Sequence, residues 1–257
     1  MSKHRAWTPT LLSTHDILAE REPLRCYPIP CTLTLVRYAL HMRRLSQKAS
    51  GLLSRDYATL VRLKTPVAVQ DYLDSLPMNW EKGGETLQSP RRVLAARKAH
   101  CFEGALLAAA ALWVHGEKPV IMNLSSRLGS GDQDHVVALY ERGGRYGAIG
   151  KTNHATIRFR DPVYRTLREL ALSFFHEWFL NTTGEKTLEC YSTPLDLSRD
   201  PSWVAAEHDL WEFDEALANR KHHSLIPPSH WRHVRRADPM ELKAGRLEEW
   251  PEGDPRT

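Results

Sequence analysis

The most concentrated apolar run in the chain lies at residues 106–113, a series of alanines and leucines that ends in Trp113 and stops at Gly116. Its density predicts a helix, and the residue that opens it is the cysteine of Ala99-His100-Cys101-Phe102-Glu103-Gly104-Ala105. Residues 118–124 read as a strand, 125–132 as a Ser- and Gly-bearing loop, and 135–140 as a second strand. Glu141-Arg142-Gly143-Gly144-Arg145 supplies the positive φ of a hairpin turn, and residues 146–151 return antiparallel. A turn centred on Gly144 pairs His135 with Asn153, whereas a two-residue Gly143-Gly144 turn pairs it with Thr152. A slip of one residue changes the sheet face. Residues 155–160 are expected to form a third strand that Asp161-Pro162 breaks. Residues 166–180, with Leu167, Leu170, Ala171, Phe174, Phe175 and Trp178 on one side, predict an amphipathic helix.

Upstream, Thr65-Pro66 and Ser89-Pro90 each combine an N-cap with a proline at the first helical position, opening helices that run towards Leu73 and Lys98. Between them residues 79–88 form a polar, glycine-bearing loop. Residues 31–47 start strand-like and then place Leu35, Tyr38, Met42 and Leu45 at helical spacing. The prolines within residues 1–30 predict coil and turns. Beyond Gly184 a helix over 202–219 is expected, followed by a weakly structured tail. Helices against a small antiparallel sheet make the fold class α+β. The organisation read from this pattern is one domain over 1–257, with an N-terminal extension at 1–64, a core at 65–184 and a C-terminal extension at 185–257.

Composition changes this picture little. At 257 residues and 42% hydrophobic content the chain can bury a sizeable core, and the net charge of +4 is far from the dense basic stripe of a nucleic-acid binder. No run approaches the roughly 18 apolar residues that span a bilayer, and no apolar signal core follows the first residues. No membrane or nucleic-acid partner is therefore expected, and the location is read as cytoplasmic. The cysteines at 26, 31, 101 and 190 form no CxxC pair and are read as reduced thiols.

The chemistry gathers at Cys101. The first turn of a helix leaves N–H groups unpaired and carries about half a positive charge, which can lower a cysteine pKa from about 8.5 to roughly 3.5–7.5. A buried cysteine is ordinarily core filler. Cys101, however, precedes the apolar stripe, and His135 downstream is flanked by Asp132 and Asp134, unlike a core position. Nucleophile, base and a polar residue on the following strand, in that order, follow the papain-like logic.

On these residues, together with Asn79-Trp80-Glu81, Glu85-Thr86, Ser89-Pro90-Arg91-Arg92-Val93-Leu94, Asp134-His135-Val136-Val137-Ala138-Leu139 and Arg160-Asp161-Pro162-Val163-Tyr164-Arg165, the chain resembles the transglutaminase-like superfamily of papain-like thiol enzymes. Within it the chain looks like a group of uncharacterised bacterial proteins that carry this domain. The resemblance implies a core in which the helix bearing the nucleophile packs on a small antiparallel sheet, with Cys101 as nucleophile and His135 as general base and acid. It also implies an aspartate on the next strand to orient the imidazole. Here that strand ends in Lys151-Thr152-Asn153, so Asn153 is the first choice for the third member, Asp161 the alternative, and no working third member the remaining case. Trp80 and Gln88 are candidate oxyanion or cleft donors.

The expected activity is hydrolysis of a peptide, protein or other amide through a thioester at Cys101. The alternatives are acyl transfer to an amine, as in a transglutaminase, and a catalytically silent domain that binds peptide or protein in the same cleft. No cofactor and no metal are called for. A zinc reading of His222, His223, His230 and His233 with Cys190 lacks any HExxH or paired CxxC support. Oligomeric state is not legible from the sequence.

Overall fold

The computed structural model describes residues 43–250, so Cys26, Cys31, the coil expected over 1–30 and most of the helix expected over 31–47 lie outside the described residues. Three helices lead in, α1 (Gln47–Ser50), α2 (Ser54–Arg62) and α3 (Pro66–Asp74). Thr65 caps α3 by accepting from the Ala68 N–H at 3.1 Å, with Pro66 at the first helical position. Ser89 repeats the device on α4 (Pro90–Ala96), accepting from the Arg92 N–H at 3.3 Å, and Arg97 ends that helix in the left-handed region at φ 53°. Both starts follow directly from the Thr-Pro and Ser-Pro pairs, because proline forgoes an N–H that the first turn leaves unused.

The next helix, α5 (Cys101–Val114), is buried at every position from Phe102 onward. Leu106, Leu107 and the alanines at 108–111 are fully inaccessible, so helices on one side and a sheet on the other must both cover α5. Truncating Leu107 to alanine here costs about 2–5 kcal/mol by the usual cavity penalty.

Strands β1 (Val120–Ser126), β2 (His135–Arg142), β3 (Arg145–Ile149) and β4 (Arg160–Tyr164) follow. Next come α6 (Leu167–Phe175), β5 (Leu188–Ser192), β6 (Leu195–Asp196), α7 (Trp211–Ala218), β7 (His222–Ser224) and α8 (Pro239–Gly245). The sheet order is β4-β3-β2-β1-β5-β7 with β6 also on β1, and every pairing between these strands is antiparallel. Val136, Ala138 and Tyr140 face the core that includes α5. Val137 and Leu139 join Leu170, Phe174 and Trp178 in a second core on the opposite face. Both faces are covered, which is why the 136–140 run is apolar without alternation. The chain is thus a mixed α and β architecture, with helices packed against a small antiparallel sheet.

Several elements depart from the pattern reading. The two-residue turn is realised: Gly143 and Gly144 take φ 58° and 71°, Arg142 pairs with Arg145, and the ladder runs to Ala138 opposite Ile149. Residues 155–158 are bends and the strand begins only at Arg160, because the Ala155 N–H is drawn to the Leu247 carbonyl at 2.8 Å and Arg158 Nε donates to the His154 carbonyl at 2.7 Å. Asp161-Pro162 does not break a strand but sits inside β4, an edge strand, where a missing N–H costs no ladder bond on the open side.

The helix expected over 166–180 stops at Phe175, since residues 178–180 turn back to bond with 185–187. The helix expected over 202–219 is divided into a 3-10 turn, Pro201–Ala205, and α7. Between them Leu210 N–H bonds to the Leu87 carbonyl at 2.9 Å, and Asp209 accepts from the Leu87 N–H and from Arg92. Residues after 184 supply β5, β6 and β7 to the same sheet as β1, and the tail carries α8, started by a reciprocal Asp238–Glu241 cap.

Candidate active site at the start of helix α5

Cys101 occupies the first position of α5 and is partly exposed. The turn beneath it is tied down by Glu103, whose side chain is fully buried. Its carboxylate accepts from Asn79 Nδ2 at 3.1 and 3.2 Å, Thr86 Oγ1 at 2.9 Å, the Gln88 N–H at 3.1 Å and the His100 N–H at 3.0 Å. A buried carboxylate is tolerated only when its oxygens are satisfied in this way. The network also fastens loop 79–88 to the start of α5.

Two imidazoles act on the Cys101 thiol. Burial raises its pKa, but hydrogen bonding with His100 and His135 and the charge of both rings bring it from 9.0 down to about 5. His100 shows the complementary change. Burial disfavours its charged form, yet the Cys101 sulfur, Glu103 and the Thr86 carbonyl carry it from 6.5 up to about 9. Its Nε2 donates to that carbonyl at 2.7 Å and lies 3.5 Å from Glu103 Oε1 and 3.6 Å from Glu81 Oε1. His100, the residue before Cys101 in sequence, thus favours the thiolate, and the thiolate favours its charged ring. The Glu three residues after it was the visible signal of a capping arrangement.

His135, at the start of β2, is 5% exposed and meets Trp178 edge-on with ring centroids 6.1 Å apart. Its Nε2 has no hydrogen-bond partner. Gly150 lies beside that nitrogen: a Cβ there would stand 2.9 Å from Nε2. The β2–β3 ladder ends at Ile149 opposite Ala138, and beyond it the Thr152 hydroxyl is used locally, accepting from the His154 N–H.

Asn153 is buried in the wall of the same cleft, and its backbone carbonyl accepts from the Glu249 N–H at 2.8 Å; no hydrogen bond joins it to His135. Asp161 is exposed on β4, where the ionisable group it influences is Tyr140. Neither choice for the third member therefore bonds the ring. Each lies on a segment whose path is set by contacts that the local pattern does not encode.

Cys101 borders two cavities. One, about 310 Å³, is lined by His135, Asn153, Trp178 and Gln133 among others, and the other, about 430 Å³, by Glu81, Glu85, Asn123 and Asp214 among others. Trp80 is placed elsewhere. It stacks on Trp250 with centroids 4.7 Å apart and lines a neighbouring cavity of about 750 Å³. Gln88 is buried and is held through its backbone N–H by Glu103, and it is not among the lining residues of either cavity at Cys101.

The C-terminal histidines are dispersed: His223 stacks on Tyr191, and His230 meets His233 edge-on. Among the described residues no group of three or more His, Cys, Asp or Glu is arranged to hold a metal ion, and no helix is long and apolar enough to cross a membrane. Cys190 is the other described cysteine, and burial raises its thiol pKa. Compared with protein-family models and with curated proteins, the chain matches none.

Proposed function

We propose that the chain is a cysteine-dependent amide hydrolase of the transglutaminase-like kind, working through a thioester at Cys101. The observation that carries this reading is a partly exposed thiol at a helix start that lines one cavity together with His135, and His100 and His135 favour its thiolate. In the proposed reaction the Cys101 thiolate attacks the amide carbon, and the S–C bond forms as the carbonyl electrons move to oxygen. The oxyanion then collapses, the C–N bond breaks, and the His135 imidazolium gives its proton to the leaving amine. Water attacks the thioester carbon while His135 takes its proton, and the acid departs with the thiolate restored.

Activity labelling with a panel of peptide-like, thiol-directed probes, read by peptide mapping on the native protein and on Cys101→Ala, tests this. The expected result is selective labelling of Cys101 and turnover of at least one amide that Cys101→Ala lacks. Labelling confined to other cysteines would overturn it. Products that carry a new amide after addition of an amine would assign transfer instead of hydrolysis. One observation favours a second reading, a silent peptide-binding domain: His135 Nε2 has no acceptor to orient it. Binding of a peptide without turnover, unchanged in Cys101→Ala, would select that reading.

A further inference from the structure

The last described residues of the chain run along one side of the cleft at Cys101. Beyond α8 the backbone meets segment 153–155. The Ala155 N–H donates to the Leu247 carbonyl at 2.8 Å, and the Glu249 N–H donates to the Asn153 carbonyl at 2.8 Å. His154 and Glu248 thereby face each other in a single antiparallel bridge. Asn153 and His154 also line the cavity that holds Cys101 and His135, and so does Gly245 at the base of the stretch. The chain itself thus shows an extended main chain seated beside the nucleophile, paired as a short added strand, which is a common mode of peptide recognition.

The side chains of the stretch are matched as well. Glu248 Oε1 accepts from Asn181 Nδ2 and lies 3.3 Å from His154 Nδ1. Glu249 Oε1 accepts from Arg158 Nη2 at 2.9 Å, and Trp250 stacks on Trp80 with ring centroids 4.7 Å apart. Donor-bearing side chains followed by an aromatic face suit an acidic pair followed by an aromatic residue. The base of the stretch is fixed, because a Cβ at Gly245 would stand 2.6 Å from Asn181 Oδ1 and 2.7 Å from the Phe179 ring. Beyond it the attachment is light. None of residues 246–250 is buried, and Leu247 is 64% exposed. Surface ion pairs contribute little, and a segment with few buried apolar contacts opens locally without global unfolding.

We propose that segment 153–155, with Arg158 and Trp80, is a docking edge for an extended peptide that carries an acidic pair followed by an aromatic residue, and that residues 247–250 occupy this edge as an internal strap. A peptide that displaces the strap lies along the wall of the Cys101 cavity. The consequence for catalysis rests on the cysteine hydrolase reading. The strap keeps extended chains from the site while Cys101, partly exposed, stays open to small reagents.

The test uses the full chain and a fluorescein-labelled peptide of the strap's own sequence, Arg-Leu-Glu-Glu-Trp amide, followed by fluorescence polarisation. In Glu249→Lys/Trp250→Ala the strap loses its ion pair with Arg158 and its stack on Trp80, and neither position is buried, so the melting curve should be unchanged. A site that is blocked nine-tenths of the time binds about tenfold more weakly than an open one, so the variant should bind the peptide at least about tenfold more tightly than the native chain does. Adding Trp80→Ala should remove the gain, and a scrambled peptide of the same composition should show none. Equal affinity of native chain and variant for the peptide, or an equal gain for the scrambled one, would overturn the proposal.

Should that variant melt early, His154→Cys/Glu248→Cys takes its place. The two positions form the non-hydrogen-bonded pair of the bridge, about 4.5 Å apart at Cα, a spacing that a disulfide spans. Oxidation should abolish peptide binding and reduction restore it, and equal binding in the two states would overturn the strap. Release of the strap should also raise labelling of Cys101 by peptidyl chloromethyl ketones about tenfold when normalised to labelling by iodoacetamide; in each reaction the sulfur displaces the halide. Unchanged normalised labelling would overturn the strap's hold over Cys101. A Cys101 inert to iodoacetamide as well would remove the hydrolase reading, and the polarisation titration would still decide the docking edge.

Discussion

The lowered thiol of Cys101 makes a prediction whose size depends strongly on pH. At pH 5.5 a thiol of pKa 9 is about 0.03% thiolate and one of pKa 5 about 75%, a ratio of roughly 2,400. A less basic thiolate is also a weaker nucleophile. With a Brønsted slope of about 0.4–0.5, the interval from 9 to 5 removes a factor of roughly 40–100. Cys101 should therefore react with 2,2′-dithiodipyridine at pH 5.5 about 25–60 times faster than an ordinary thiol.

At pH 7 the thiolate ratio falls to about 100, and the two effects nearly cancel. A neutral assay would miss the distinction. The sign follows from the thiolate being the reactive form: reactivity persists above about 5 and is lost as pH falls through that value. Cys190 is the internal control, because burial raises its thiol. The measurement is a pH series of rates assigned by peptide mapping, repeated in His100→Gln, whose Cys101 inflection should move upward. A Cys101 rate at pH 5.5 no greater than that of Cys190, or an inflection near 9 in the native protein, would refute the reasoning.

Other consequences are checked separately. Glu103→Gln replaces an acceptor oxygen with a donor facing the His100 N–H and Asn79 Nδ2, so at least two charge-assisted bonds are lost at about 1.5–3 kcal/mol each. Denaturant titration should show a loss of roughly 3–5 kcal/mol, and a loss below about 1 kcal/mol would mean that the network is not holding the turn. Gly150→Ala forces a Cβ to 2.9 Å from His135 Nε2 and should cost about 1–3 kcal/mol by overpacking. It should also displace the His135 ring signal in NMR while Cys101 stays acidic through His100. Asn153→Ala removes no bond to His135, so Cys101 labelling should change by less than about threefold, and a drop of about 100-fold would restore Asn153 as the orienting residue.

Much of the local structure was legible because it depends on neighbours in sequence. Thr65-Pro66 and Ser89-Pro90 start helices through their own side chains and through proline's fixed φ, and Gly143-Gly144 supplies the positive φ of the hairpin turn. The run after Cys101 is apolar all round and can only be a buried helix, so the cysteine's place at a helix start was readable before any fold. The pairing of Cys101 with His100 lay in plain sight as adjacent residues. Its force comes from Thr86, Glu81 and Glu103, which loop 79–88 and the first turn of α5 place around the ring.

What the tertiary structure alone decided depends on contacts distant in sequence. The Leu247 carbonyl pulls residue 155 out of a strand, and Leu87 with Asp209 divides the helix expected over 202–219. The hairpin register was open by one residue in the sequence, and the two-glycine turn settles it, with Arg142 opposite Arg145 and Ala138 opposite Ile149. The backbone at residue 150 can approach His135 Nε2 so closely because Gly150 carries no side chain, and the unpartnered oxygen of Asn123 exists because Asp134 holds the other end of the amide. Periodicity specifies which face a side chain takes within its own element. Which polar atoms remain unsatisfied depends on every element that arrives around them, and that is a property of the assembled fold.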